Sequence, residues 1–217
     1  MKKKKAQSGF TLVEITTVLV IMVALMGLVV GAGTLLRPIG AKQGAVSQLM
    51  QVLDEARMRA IENGTTVYVG FADANYPDPT MRFRSYMLFR FYTPDEIAAM
   101  KTQPPANYCV ALTDWEVLPT GFYLDPGATK SLLKDNATDI SVNGLPGQPE
   151  TLCVIAFGPL GQVILPSDQS PYVTVTEANY PGSGDELTML SYSNNSRFYI
   201  QVNPLTGRVQ YKEGSVN

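Results

Sequence analysis

The 217-residue sequence contains no histidine. That absence removes the usual general base, the commonest metal ligand and the base of Ser-His and Cys-His nucleophile pairs, so triad hydrolases are excluded. Its two cysteines, Cys109 and Cys153, are too few for a four-cysteine zinc site or an ordinary iron–sulfur cluster. Net charge is small as well: 17 Lys+Arg against 19 Asp+Glu give −2, with a mean hydropathy of +0.01. Those averages fit neither a polytopic membrane protein nor a disordered tail, and the length admits one ordinary core or two small ones. No paired-carboxylate motif offers another route to acid–base chemistry, so neither enzymatic activity nor a cofactor is expected.

What is present is distributed unevenly. Lys2, Lys3, Lys4 and Lys5 stand together, and from Ile15 to Leu36 no residue is charged. As a helix that uncharged run measures about 33 Å, enough to cross a bilayer core of about 30 Å. Lysines on its N-terminal side place the leader in the cytoplasm and everything after Leu36 on the far side. Three readings compete: a signal peptide removed after its apolar stretch, a plain signal anchor, and a leader cut ahead of the apolar stretch. The first needs an apolar core of about 7 to 15 residues and an A-x-A-like site, for which Val30-Gly31-Ala32-Gly33 is a poor match. The second leaves Glu14 unexplained, although the helix dipole favours an acid in a first turn. A charge at the centre of a membrane helix costs about 2.5–3.5 kcal/mol, less near the interface, so Glu14 calls for a compensating partner.

The residues Gly9-Phe10-Thr11-Leu12-Val13-Glu14, behind a short basic leader and ahead of an apolar run, resemble the class III signal of type IV pilins and type II secretion pseudopilins. The resemblance implies cleavage between Gly9 and Phe10 by a membrane prepilin peptidase, which also acts as N-methyltransferase on Phe10. It further implies that Glu14 guides assembly by pairing with the amine of a neighbouring subunit, on an inner-membrane assembly platform. Residues 1–9 are then a leader, and 10–64 one long helix, membrane-spanning over about 12–36 and amphipathic over 41–64. Residues 65–217 are a head domain on the periplasmic or extracytoplasmic side of a single-pass inner-membrane protein.

Downstream, Pro38 with Gly40 and Gly44 marks a kink or break in the helix. Periodicity resumes at Val46, Leu49, Met50, Leu53, Ala56, Ala60 and Ile61, and Asn63-Gly64 reads as a C-terminal cap. After Gly64 the period changes to two. Strands are expected over 66–71, 83–92, 115–118, 122–124, 152–157, 162–165, 172–176, 187–191, 198–202 and 208–211, with one short helix over Pro94 to Lys101. The fold class is therefore α+β: a long N-terminal helix followed by a mostly antiparallel β head. The passage from Leu53 to Thr65, the turn Phe157-Gly158-Pro159-Leu160-Gly161 and the closing Asn203-Pro204-Leu205-Thr206-Gly207-Arg208-Val209 are similar to those of H-type minor pseudopilins and related minor pilins. The insert from about Tyr76 to Leu118 is longer than a minimal head of that type needs.

Other features of the head admit two readings each. Cys109 and Cys153 lie on the oxidising side of the membrane, where a disulfide contributes about 3–4 kcal/mol; the alternative is two buried thiols. Asp73-Asn75-Asp78 and Asp185-Glu186 have calcium-ligand chemistry, but solvated turn residues have the same composition, and no metal is assigned. Arg82, Arg84 and Arg90 alternate with Phe83, Tyr86, Phe89 and Phe91 as in a nucleic-acid-binding strand, and equally as in an amphipathic strand. Nucleic acid is not expected as a partner, because loss of the leader leaves 13 basic against 19 acidic side chains. The expected function is that of a structural pilin-like subunit, of minor pseudopilin type, whose partners are other pilin or pseudopilin subunits, the peptidase, the platform and membrane lipid. The alternative is a membrane-anchored binding module for DNA, a surface or an exported protein.

Overall fold

The computed structural model describes residues 12–102, 104–126, 138–166, 171–179, 188–189 and 197–213, with backbone alone over 27–39 and at 179, 188, 189 and 213. In chain order the elements are α1 (Leu12–Asn63), β1 (Val67–Phe71), β2 (Ser85–Phe91), α2 (Pro94–Ala99), β3 (Cys109–Ala111), β4 (Glu116–Val117), β5 (Phe122–Leu124), β6 (Asp139–Ser141), β7 (Thr151–Phe157), β8 (Val163–Leu165), β9 (Tyr172–Asn179), β10 (Thr188–Met189), β11 (Arg197–Val202) and β12 (Val209–Glu213). The chain divides into two compact units, Met1–Gly40 and Ala41–Asn217. The first contains the opening part of α1; the second is the α+β head.

Within the head, the end of α1 buries a stripe of Ala45, Leu49, Val52, Leu53, Ala56 and Ala60, spaced at three and four residues as one helical face. The helix ends as Asn63-Gly64 indicates. Gly64 has φ +62°, and the Thr65 amide donates to the Ala60 carbonyl at 3.3 Å, the six-to-one bond of a Schellman cap. The helix continues across Pro38, so of the kink or break expected there the break does not occur; proline deletes one amide donor, and the ladder on either side carries on.

Two antiparallel sheets enclose the stripe. One has the order β3-β2-β1-β7-β6, with β4 on β2 and β8 on β7; the other runs β10-β9-β11-β12, with β5 on β9. Alternate side chains of β1, β2 and β7, namely Val67, Val69, Phe71, Tyr86, Leu88, Ile155 and Phe157, face α1 in one core with Val173, Val175, Phe198 and Ile200 of the second sheet. The intervening residues Met87, Phe89, Leu152 and Val154 form a second core on the opposite face. Tyr76, Val142 and Leu145 cover that face, with Trp115 packed edge-to-face on Tyr76 at 4.8 Å and donating to the Pro146 carbonyl at 2.8 Å. Tyr76 and Trp115 of the long insert thus join the 142–145 segment in burying the second face of the first sheet.

Two strands were not expected from the sequence, β3 and β6. Each has three residues at a sheet edge, too few to show a period of two, and each forms because a long neighbour offers an unpaired edge. The strand expected from Phe83 begins at Ser85, since Phe83 has φ +59° and buries its ring beside Tyr123 and Ala178. The helix expected to reach Lys101 stops at Ala99, where Met100 turns extended. Its start is a capping box between Thr93 and Glu96.

Asp139 on β6 is half-buried next to Cys153 of β7, and burial, reinforced by the charge of Asp73, raises its carboxyl to about 6 from 3.8. The folded protein therefore takes up a proton at higher pH than the unfolded chain does. Ionisation above about pH 6 costs folding free energy, and the cost disappears as pH falls toward 4. After discounting for solvent screening of a partly open group, Asp139→Asn should stabilise the protein by about 1 kcal/mol at pH 7.5 and by nothing at pH 3.5. Paired thermal melts at the two pH values check this; an equal gain at both would refute the titration as its source.

Candidate functional site

The described start of α1 is apolar on every side. Leu12, Val13, Ile15, Val18, Leu19, Val20, Ile21, Met22, Val23, Leu25 and Met26 are each more than half exposed. Consecutive positions point 100° apart, so these side chains leave no polar stripe. The two threonines in this stretch bond back to the helix itself: the Thr16 hydroxyl donates to the Leu12 or Val13 carbonyl (3.1 and 3.0 Å), and Thr17 to Val13 (2.8 Å). Hydroxyls satisfied in this way present no unmet donor to an apolar medium. Sequence reasoning missed them; two threonines four residues beyond apolar positions in such a run are the signal.

Glu14 is the one charged side chain from Leu12 to Met26, and it lies in the first turn of α1, where the backbone amides favour an anion. Gly9 and Phe10 lie outside the described residues, as does the side chain of Pro38. Among the described residues no helix is long and apolar enough to cross a membrane. The described apolar stretch 12–26 is about 22 Å long, and the rest of the expected span, 27–36, falls on residues described by backbone alone.

The two cysteines are not brought together. Cys109 on β3 belongs to the second core and Cys153 on β7 to the first, on opposite faces of the sheet, with β2 and β1 between them. Three strand spacings across the sheet put them at least about 14 Å apart, against the roughly 6 Å between Cα atoms that a disulfide requires. Neither cysteine forms a disulfide. Burial pushes Cys109 up to about 11 and Cys153 up to about 12, the latter despite the Thr138 hydroxyl 3.0 Å from its sulfur. Neither thiol should react with a disulfide reagent at pH 8 until the protein unfolds, when both should; rapid native labelling would contradict the packing.

The remaining candidates resolve into local structure. Asp73 accepts from the Asn75 amide (2.9 Å) and side chain (3.2 Å), and Asp78 from the Thr80 amide and hydroxyl (both 2.8 Å). Each carboxylate caps its own turn, and Asp185-Glu186 lies outside the described residues. The basic–aromatic stretch is consumed by packing. Tyr86 and Phe89 are fully buried on opposite faces of β2, Arg82 donates to the Tyr76 carbonyl (2.6 Å), Arg84 to the Leu118 carbonyl (3.0 Å), and Arg90 pairs with both oxygens of Glu96 (2.6 and 2.7 Å).

No protein-family profile matches the chain, and no curated protein matches its sequence. Among solved structures, one similarity is to the minor pseudopilin EpsH from the Type 2 Secretion System of Vibrio cholerae, at 16% identity and a TM-score of 0.37, covering 80% of this chain and 96% of that one.

Proposed function

We propose that the protein is a non-enzymatic, pilin-like structural subunit, of minor pseudopilin type, serving a type II secretion pseudopilus or a type IV pilus. The observation that carries this reading is the start of α1: eleven large apolar side chains exposed around the full circumference, with one carboxylate, Glu14, at the end. Such a surface is stable in lipid or inside a bundle of like helices and not in water. In the proposed cycle the prepilin peptidase cuts between Gly9 and Phe10 and methylates the new amine. The helix over about 12–36 holds the subunit in the inner membrane with the β head on the far side. Assembly transfers the helix from lipid into a bundle of other subunits, where Glu14 meets the Phe10 amine of a neighbour.

Two fractions test the reading. The chain should stay with membranes through an alkaline wash, and mechanical shearing of cells should release fibres that contain it. A chain recovered in the wash and missing from the sheared fraction would overturn both the anchor and the fibre.

A further inference from the structure

Among the described residues the strands with a single partner are two or three residues long, with one exception, β12. Its five residues pair with β11 on one side and leave an open edge of about 17 Å on the other. The phase of that pairing is set at the hairpin. The Asn203 amide donates to the Arg208 carbonyl at 2.9 Å, whereas the Val202 amide points the opposite way, to the Pro171 carbonyl at 3.0 Å. This alternation repeats along an antiparallel ladder, so Gln210 and Lys212 direct their backbone groups to β11 while Val209, Tyr211 and Glu213 turn theirs outward. Three amides and three carbonyls are thus aligned for a strand that no described part of the head supplies.

The side chains of the edge divide between two faces. Val209 and Tyr211 lie on the core side, where the Tyr211 ring packs 6.1 Å from that of Phe198 and, with no further strand beside it, stays 37% exposed. Arg208, Gln210 and Lys212 project from the other face and are exposed. Opposite them on β11 and its turn stand Asn203, Gln201 and Tyr199, none of them acidic. The cation on that face of β11, Arg197, is already paired with Asp125 at 2.9 Å, and neither Arg208 nor Lys212 has an ion pair among the described residues. The edge therefore carries a basic stripe, on a head whose residues 41–217 hold 12 basic and 18 acidic side chains.

That charge decides what can pair there. Two copies of this chain joined antiparallel along β12 would set Lys212 of one opposite or diagonal to a lysine or arginine of the other, and like charges so placed oppose pairing. A lysine on a bare edge guards against self-association in this way. A strand with carboxylates on the same face gains instead. One acid stands opposite Arg208 and another opposite Lys212, four positions apart, and apolar residues on the alternate face cover Val209 and Tyr211.

We infer that β12 takes up an extended, acidic segment of a different protein as the next strand of the second sheet. Backbone bonds to Val209, Tyr211 and Glu213 hold the segment, and Arg208 and Lys212 select it. The edge belongs to the folded head, so this pairing does not depend on the fibre reading.

A labelled peptide of sequence Thr-Glu-Val-Thr-Val-Glu-Thr, titrated with the full-length chain in detergent at low salt, tests it by fluorescence anisotropy. The peptide should bind. Hydrogen exchange should slow at the Val209 and Tyr211 amides, while the Gln210 and Lys212 amides, already bonded to β11, exchange as before. Lysine in place of both glutamates should weaken binding about tenfold. N-methylation of the two valines, whose amides face β12, should do the same, and N-methylation of the two glutamates, whose amides face away, should be tolerated. Tyr211→Pro deletes one outward amide, leaves the ladder to β11 intact and should also weaken binding about tenfold. Equal binding of the lysine peptide overturns the acidic partner. Equal binding of the valine-methylated peptide overturns strand addition, and no binding up to millimolar peptide overturns both.

Discussion

On the proposed reading, Glu14→Ala should leave the chain in the membrane and take it out of the fibre. The substitution makes the apolar stretch more hydrophobic, so retention through an alkaline wash is unchanged or improved. Assembly responds in the opposite direction. On that reading the Phe10 amine freed by cleavage is removed from water in a bundle of helices, and a carboxylate within a few ångströms would offset that cost. Deleting one partner of a buried pair costs about 3–5 kcal/mol, which corresponds to more than a hundredfold fewer subunits incorporated. Glu14→Gln isolates charge from shape, since it keeps the size of the side chain and loses the ion pair; it should fail as alanine does. Normal incorporation of either variant, measured against the unaltered chain in sheared fibres, would remove Glu14 from the mechanism.

Leu53→Ala should lower the stability of the head by about 3–4 kcal/mol. Leu53 is fully buried in the core that joins α1 to both sheets, so its removal leaves a cavity that flanking strands, fixed in register, close only in part. Against a typical domain stability of 5–15 kcal/mol this is a large fraction. A urea midpoint that falls while the slope of the transition holds is the expected signature. Met58→Ala, five residues on and 48% exposed, is the control and should change stability by less than about 0.5 kcal/mol. Equal effects at the two positions would mean that the buried stripe has been assigned to the wrong face of the helix.

The parts of this fold governed by local chemistry are legible in the sequence. The stripe Leu49, Leu53, Ala56 and Ala60 obeys the helical period, Asn63-Gly64 supplies the residue that tolerates the left-handed cap, and Val67 to Phe71 alternates as a strand does. What was not legible depends on partners distant in sequence. Cys109–Ala111 is a strand because Phe89 to Phe91 offers it an edge, and Phe83 leaves the strand because its ring finds Tyr123 some forty residues later. The candidate disulfide failed for a related reason, since the separation of Cys109 and Cys153 says nothing about which face each occupies. For the site, the apolar run and its carboxylate stand out from composition alone. The pairing of the turns at Pro159-Leu160 and Pro204-Leu205 does not, since each reads as an ordinary turn and only the close approach of Gly161 and Gly207 shows that they lie together.

The central claim concerns the first residues of the mature chain, and the mass of its N-terminal peptide tests it most directly. A peptide that begins at Phe10, lacks residues 1–9 and carries one methyl group on its amine is the predicted result. A peptide that still begins at Met1, or one that begins after Ala32, would contradict it.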